Sequence, residues 1–126
     1  FRQAAEAFRY CTELDPGNHE CWNNLAKSYI HLGEYERARR SLHEALKCHY
    51  ESWRIWDNLL SVGAQLGHVD DVVLSLQRLS EIKGDFKPDP RTVSRVVRLS
   101  VEREEGEAEK RKVFEMLRFL GDRYPE

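Results

Sequence analysis

The residues of this chain that could carry chemistry are three cysteines, five histidines and a surplus of carboxylates. Cys11, Cys21 and Cys48 form an odd set with no Cys-x-x-Cys pair, and no His-x3-His completes a tetrahedral zinc site. Cys48 and His49 adjoin, but no second pair answers them. The spacing predicts structural or incidental thiols in a reducing compartment. His19, His31, His43, His49 and His68 lack an acid–nucleophile constellation, and His43-Glu44 near Cys48 matches no triad or metal spacing. Glu102, Glu104, Glu105, Glu107 and Glu109 crowd around Gly106 without the ligand order of a calcium loop, as a solvated turn would. No glycine-rich phosphate loop is present. No metal, cofactor, small-molecule substrate or catalysis is therefore expected. The residual catalytic reading needs a pocket near Arg91, Arg95 and Arg98.

Composition narrows the partners. The chain has 126 residues, 40% hydrophobic and 33% charged, with a net charge of −2. That is enough for one domain with a packed core. There is no basic excess to meet nucleic acid and no apolar run long enough to cross a bilayer. The opening FRQAAEAFRY lacks a methionine and a signal pattern, which predicts a piece cut from a longer protein.

The elements that must position any site follow a 34-residue offset. Trp22 recurs as Trp56, Leu25 as Leu59 and Gly33 as Gly67. Ala4, Ala38 and Val72 fall in register, as do Phe8, Leu42 and Leu76, and Cys11, Ala45 and Leu79. Asn18 is a good N-cap for a helix whose Trp22, Leu25, Ala26, Tyr29 and Ile30 share one face. Gly33 sits where a left-handed residue ends it. A second helix over roughly 35–48 carries Tyr35, Ala38, Leu42, Ala45 and Leu46. Ser52 is expected to cap the next, which ends at Gly67; another runs from about 69 to 83 and ends at Gly84. Asp15-Pro16-Gly17 is a turn. Asp89-Pro90 starts a further helix with Val93, Val96, Val97 and Val101 in a stripe. After Gly106, Val113, Phe114, Leu117 and Leu120 form the last stripe before Gly121. Each unit is a pair of short antiparallel helices that can bury its apolar face only against a neighbour. The aromatics Trp22, Trp56, Tyr29, Tyr35 and Phe8 keep the register and belong to the core. Trp53, Tyr50 and Tyr124 do not keep it, and their positions stay open.

The chain resembles the tetratricopeptide repeat family on specific residues. Trp22, Leu25 and Tyr29 stand for W-x2-L-x3-Y; Gly33, Tyr35 and Ala38 for G-x-Y-x2-A; Leu14-Asp15-Pro16 for the terminal L-x-P. In the following unit Gly63 replaces the usual tyrosine and Val72 the usual alanine. The resemblance implies an all-α, right-handed superhelix of antiparallel hairpins. Its units are residues 1–18 (the second helix of a truncated repeat), 19–52, 53–86, and a degenerate hairpin over 87–126. Phe1, Ala5 and Phe8 are then expected to face a missing helix, and the raw ends to self-associate.

In this family the first helices of successive units line a concave groove. The groove then shows Asn23, Asn24, Lys27 and His31 from one helix and Arg54, Asp57, Asn58 and Ser61 from the next. Amides and mixed charge suit an extended peptide or a helix. The implied function is a scaffold that binds other proteins; the alternative is a spacer inside a longer array with no partner of its own. The clamp with which some members hold acidic carboxyl-terminal tails is incomplete here. Asn23 stands where its first lysine is expected and Lys27 where its asparagine is, while Pro88 and Thr92 fall where lysine and arginine belong. The string ECWNNLAKSYIHLGEYERARRSLHEALKCHYESWRIWDNL further resembles one branch of the family found in large helical proteins. That branch implies a cytoplasmic or nuclear setting and a link to chaperone-assisted assembly of other complexes.

Overall fold

A computed structural model describes residues 1–102 and 106–124, apart from the side chain of residue 109. Glu104 and Glu105 of the acidic turn lie outside the described residues. Among these, seven helices and no strand are found: α1 (Arg2–Leu14), α2 (His19–His31), α3 (Tyr35–Cys48), α4 (Trp53–Leu66), α5 (Val69–Ile82), α6 (Pro90–Glu102) and α7 (Glu107–Arg123). Each of α1 to α5 packs on the next, so the chain is an α–α solenoid.

The core is the repeat register made solid. Leu42 and Leu76 are fully buried, as are Ala38 and Ala45, and Leu59, Val72 and Leu79 join them. Each large side chain withdrawn in this way contributes about 1.5–3 kcal/mol. Small residues allow the helices to approach. Ser28, Ser41 and Ser80 are buried, and each donates its hydroxyl to the carbonyl four residues back in its own helix.

The helix ends separate into those held by side chains and those held by backbone. Asn18 Oδ1 accepts from the amides of Glu20 and Cys21 at 3.0 and 3.2 Å. Asp89 Oδ1 accepts from the Arg91 amide at 3.0 Å, so both predicted caps are present. Gly33 and Gly67 have φ of 76° and 73°, the left-handed conformation that glycine adopts without strain. Three expectations change. Ser52 occupies the N-cap of α4 but makes no side-chain cap bond. Gly84 is not left-handed, and α5 ends at Ile82 with Lys83 extended. Gly121 lies inside α7, which continues to Arg123, because one glycine costs a helix only about 1 kcal/mol and buried Val113, Met116 and Leu120 outweigh it.

The register also repeats polar bonds. Trp22 Nε1 donates to the Pro16 carbonyl and Trp56 Nε1 to the Tyr50 carbonyl, both at 2.8 Å and both across six residues. Arg2 pairs with Glu34 at 2.7 Å, and at the equivalent positions Glu36 faces His68 at 3.4 Å. The last hairpin breaks this pattern. There Asp70 meets Lys112 of α7 at 3.0 Å, and α7 packs broadly on α5. α6 touches α4, α5 and α7, and Tyr124 donates its hydroxyl to the Phe86 carbonyl at 2.6 Å.

At the other end, α1 turns Ala5 and Thr12 inward. Ala5 is in the core against α2 and Phe8 is partly buried there, rather than facing outward as expected. Phe1 is exposed and stacks on His31 at 4.3 Å between ring centroids. Tyr10 and Leu14 form the outer side. Cys11 and Cys21 are bonded as a disulfide joining α1 to α2, with Cα atoms 6.1 Å apart, where structural or incidental thiols of a reducing compartment were expected; Cys48 is outside any disulfide and exposed.

Candidate functional site

The first helices of two units, α2 and α4, lie side by side and bring polar residues of both into one cleft. Its volume is about 270 Å³, and its walls are His19, Glu20, Asn23, Asn24 and Lys27 from α2 with Ser52 and Arg54 from the start of α4. Of the eight residues expected in the groove, Asn23, Asn24, Lys27 and Arg54 line this cleft. Asn58 lies one turn beyond it and connects the two helices. Its Nδ2 donates to Asn23 Oδ1 at 2.9 Å. Asp57 and Ser61 are exposed on the same helix but outside the cleft walls.

Two placements differ from expectation. Asn23 is only 9% exposed, so it is a buried bridge more than an open contact. His31 lies under the ring of Phe1 and is engaged by α1, which a pattern drawn from α2 alone does not reveal. The cleft walls missed by sequence reasoning are His19, Glu20 and Ser52. They sit at helix starts, where loop geometry and not helical periodicity decides direction.

The chemistry of the cleft is recognition by hydrogen bonds. The Asn58–Asn23 bond uses one donor and one acceptor of the two amides. Among the described residues, Asn23 Nδ2 and Asn58 Oδ1 have no further partner. The open amide of Asn24 on the cleft wall offers a donor and an acceptor of the kind that match the C=O and N–H of a peptide unit. Lys27 and Arg54 add positive charge, and Glu20 one negative charge.

The strongest electrostatic feature lies elsewhere. Asp71 is buried on α5, bonded to Arg39 Nε of α3, with His43 Nε2 3.4 Å from its other oxygen but off hydrogen-bond alignment. Burial opposes its charge, yet the interactions with His43 and Arg39 prevail and hold its pKa below the ordinary value. The group ties α3 to α5 and faces away from the cleft walls; it is a structural lock. Among the described residues no three His, Cys, Asp or Glu groups converge to hold a metal, and no helix is long and apolar enough to cross a membrane.

The aromatics resolve with the site. Trp56 is buried and Trp22 half-buried, each fixed by its indole bond. Trp53 is 37% exposed, and Tyr50 is 48% exposed beside Trp56 with Arg78 over its ring at 5.0 Å.

Residues 1–61 match the model of the tetratricopeptide repeat family. The tetratricopeptide repeat-containing protein trd-1 of Caenorhabditis elegans is 30% identical over 82 residues, covering 65% of this chain and 11% of that protein. A protein of Saccharomyces cerevisiae named essential for maintenance of the cell wall protein 1 is 34% identical over 83 residues, covering 65% of this chain and 9% of its own length. The chain thus spans about a tenth of the length of the curated relatives it matches. Two crystal structures of MamA share the fold. One covers 96% of this chain and 67% of its own at 18% identity and a TM-score of 0.65; the other covers 98% and 64% at 14% identity and 0.68. The likeness to tetratricopeptide repeat proteins thus extends over residues 1–61 by the family model and over about two thirds of the chain by relatives.

Proposed function

We propose that this chain is a protein-binding module whose cleft between α2 and α4 holds an extended or helical segment of another protein. Tetratricopeptide repeats generally mediate protein–protein interaction, and this solenoid offers surface rather than convergent reactive groups. The observation that carries the reading is the polar cleft between α2 and α4, where Asn23, Asn24, Lys27 and Arg54 converge beside the Asn58–Asn23 bridge. The wider setting proposed is a large cytoplasmic or nuclear helical protein, a homologue of tetratricopeptide repeat protein 27, serving chaperone-assisted assembly of other complexes. The resemblance of the string from Glu20 to Leu59 supports that setting. The test is affinity capture with the full-length parent, unchanged or carrying Asn24→Ala, Asn58→Ala and Arg54→Glu together. Loss of a partner supports the groove; unchanged recovery of every partner assigns the segment the role of a spacer.

A further inference from the structure

Some cations of this surface have carboxylate partners. Arg2, Arg37, Lys47, Arg78 and Lys112 each lie within 4 Å of one. Around the start of α4 cations gather on a ring instead. Among the described residues Lys27, Arg54 and Lys83 have no carboxylate partner, and two of them gather on one indole. Lys83 Nζ is 4.2 Å and Arg54 Cζ 5.3 Å from the ring centroid of Trp53.

The repeat itself separates what the fold requires here from what it does not. One unit earlier, the positions of Trp53 and Lys83 are held by His19 and His49, whose rings stack at 4.4 Å. A flat contact at this seam is therefore the recurring structural element. The two permanent charges are not. Position 20, equivalent to Arg54, carries Glu20, so the sign of the side chain is reversed between the two units. A cation over an exposed ring gains only about 0.5–1 kcal/mol, and a second cation nearby repels the first. An anion brought to this rim relieves that repulsion and makes charge-assisted hydrogen bonds.

The rim is continuous with the cleft, because Arg54 belongs to both. Lys27 lies inside, Arg54 at the edge and Lys83 outside. We infer that the protein segment held in the groove runs out over the Trp53 rim and places acidic side chains against Arg54 and Lys83; this rests on the groove reading. A peptide with spaced carboxylates fits better than a nucleic acid. The chain carries a net charge of −2, Glu20 lines the cleft, and Glu51 and Asp57 flank the rim in sequence, so a continuous polyphosphate meets repulsion that a peptide avoids.

The experiment is a calorimetric titration of the chain with a short glutamate-rich peptide blocked at both ends, which removes any terminal carboxylate. A glutamine version and a single-stranded oligonucleotide of equal charge are run beside it. The glutamate peptide is expected to bind at least roughly tenfold tighter than the glutamine one, with the difference shrinking as salt rises. Arg54→Glu at an exposed site and Lys83→Glu at a half-buried one, with folding checked by circular dichroism, are each expected to weaken it by about tenfold. No binding of the glutamate peptide, equal binding of the glutamine peptide, indifference to both reversals, or tighter binding of the oligonucleotide overturns the inference. The double substitution Asn23→Leu, Asn58→Leu tells the two readings apart. If it alone abolishes binding, the groove stands and the acidic rim falls; if the reversals alone weaken binding, the groove reading falls and with it the inference that one segment spans groove and rim.

Discussion

Val72 occupies the space that a side chain on Gly63 would need: a β-carbon built on Gly63 lies 3.1 Å from Val72 Cγ2 and 3.2 Å from Asp71 Cβ. The equivalent residues one unit earlier are Tyr29 and Ala38. Volume has thus moved from one helix of the hairpin to the other while the crossing stays filled. The two departures from the family pattern are one compensated change.

Gly63→Tyr alone is expected to destabilise by at least about 2 kcal/mol through overpacking against α5. Val72→Ala alone is expected to cost about 2 kcal/mol through the space it leaves. Together they should cost less than their sum by about 1 kcal/mol or more. Urea denaturation of the four proteins measures this, and strict additivity would show that the positions are independent.

The indole bonds rank the three tryptophans. Trp56→Phe removes the donor to the Tyr50 carbonyl inside the fold, with an expected loss of about 1–2 kcal/mol. Trp22→Phe breaks the same bond where water can replace it, and should cost less. Trp53→Phe should fall within about 0.5 kcal/mol of the parent. Thermal unfolding reads the order directly; a Trp53 effect as large as that of Trp56 would contradict the exposed placement.

Asp71 gives the fold an acid-sensitive lock. Its folded-state pKa is lowered, so its stabilising contribution is fully present above the unfolded value of about 4 and is lost as pH falls through the folded value. Arg39→Met, which leaves the carboxylate buried with its main partner gone, should cost about 2 kcal/mol at neutral pH. Asp71→Asn should flatten the decline in stability below about pH 4. Urea midpoints measured across that range decide it, and an unchanged slope in Asp71→Asn would assign the acid sensitivity to other carboxylates.

The Asn58–Asn23 bridge can be removed without loss of fold. Replacing both residues by leucine takes away donor and acceptor together and should leave stability within about 1 kcal/mol. Asn58→Ala alone strands the buried Asn23 oxygen and should cost about 1 kcal/mol. Equilibrium unfolding separates the two cases; equal losses would mean that the bond contributes nothing specific.

Much of this was legible in the residues themselves. The 34-residue register, the caps at Asn18 and Asp89 and the left-handed Gly33 and Gly67 are local signals, and local physics decides them. What escaped depends on neighbours distant in sequence. Ala5 faces α2 because α1 packs there, and His31 stacks on Phe1 at the N-cap of α1. Arg39 and Asp71 are 32 residues apart and offer no short motif. Asn23 reads as surface from α2 alone and becomes a floor residue only once α4 lies beside it. Gly121 looked like a stop, but apolar positions on both sides of it outweigh its propensity.

The paired indole bonds also act as a ruler. Each fixes a tryptophan to the carbonyl six residues before it, so the connections between α1 and α2 and between α3 and α4 are set to one length. An inserted residue there would unhook a tryptophan from its own entry loop. Between α5 and α6, where no such bond exists, the chain spends a longer stretch from Lys83 to Asp89. It is at that junction that the spacing of the units departs from 34.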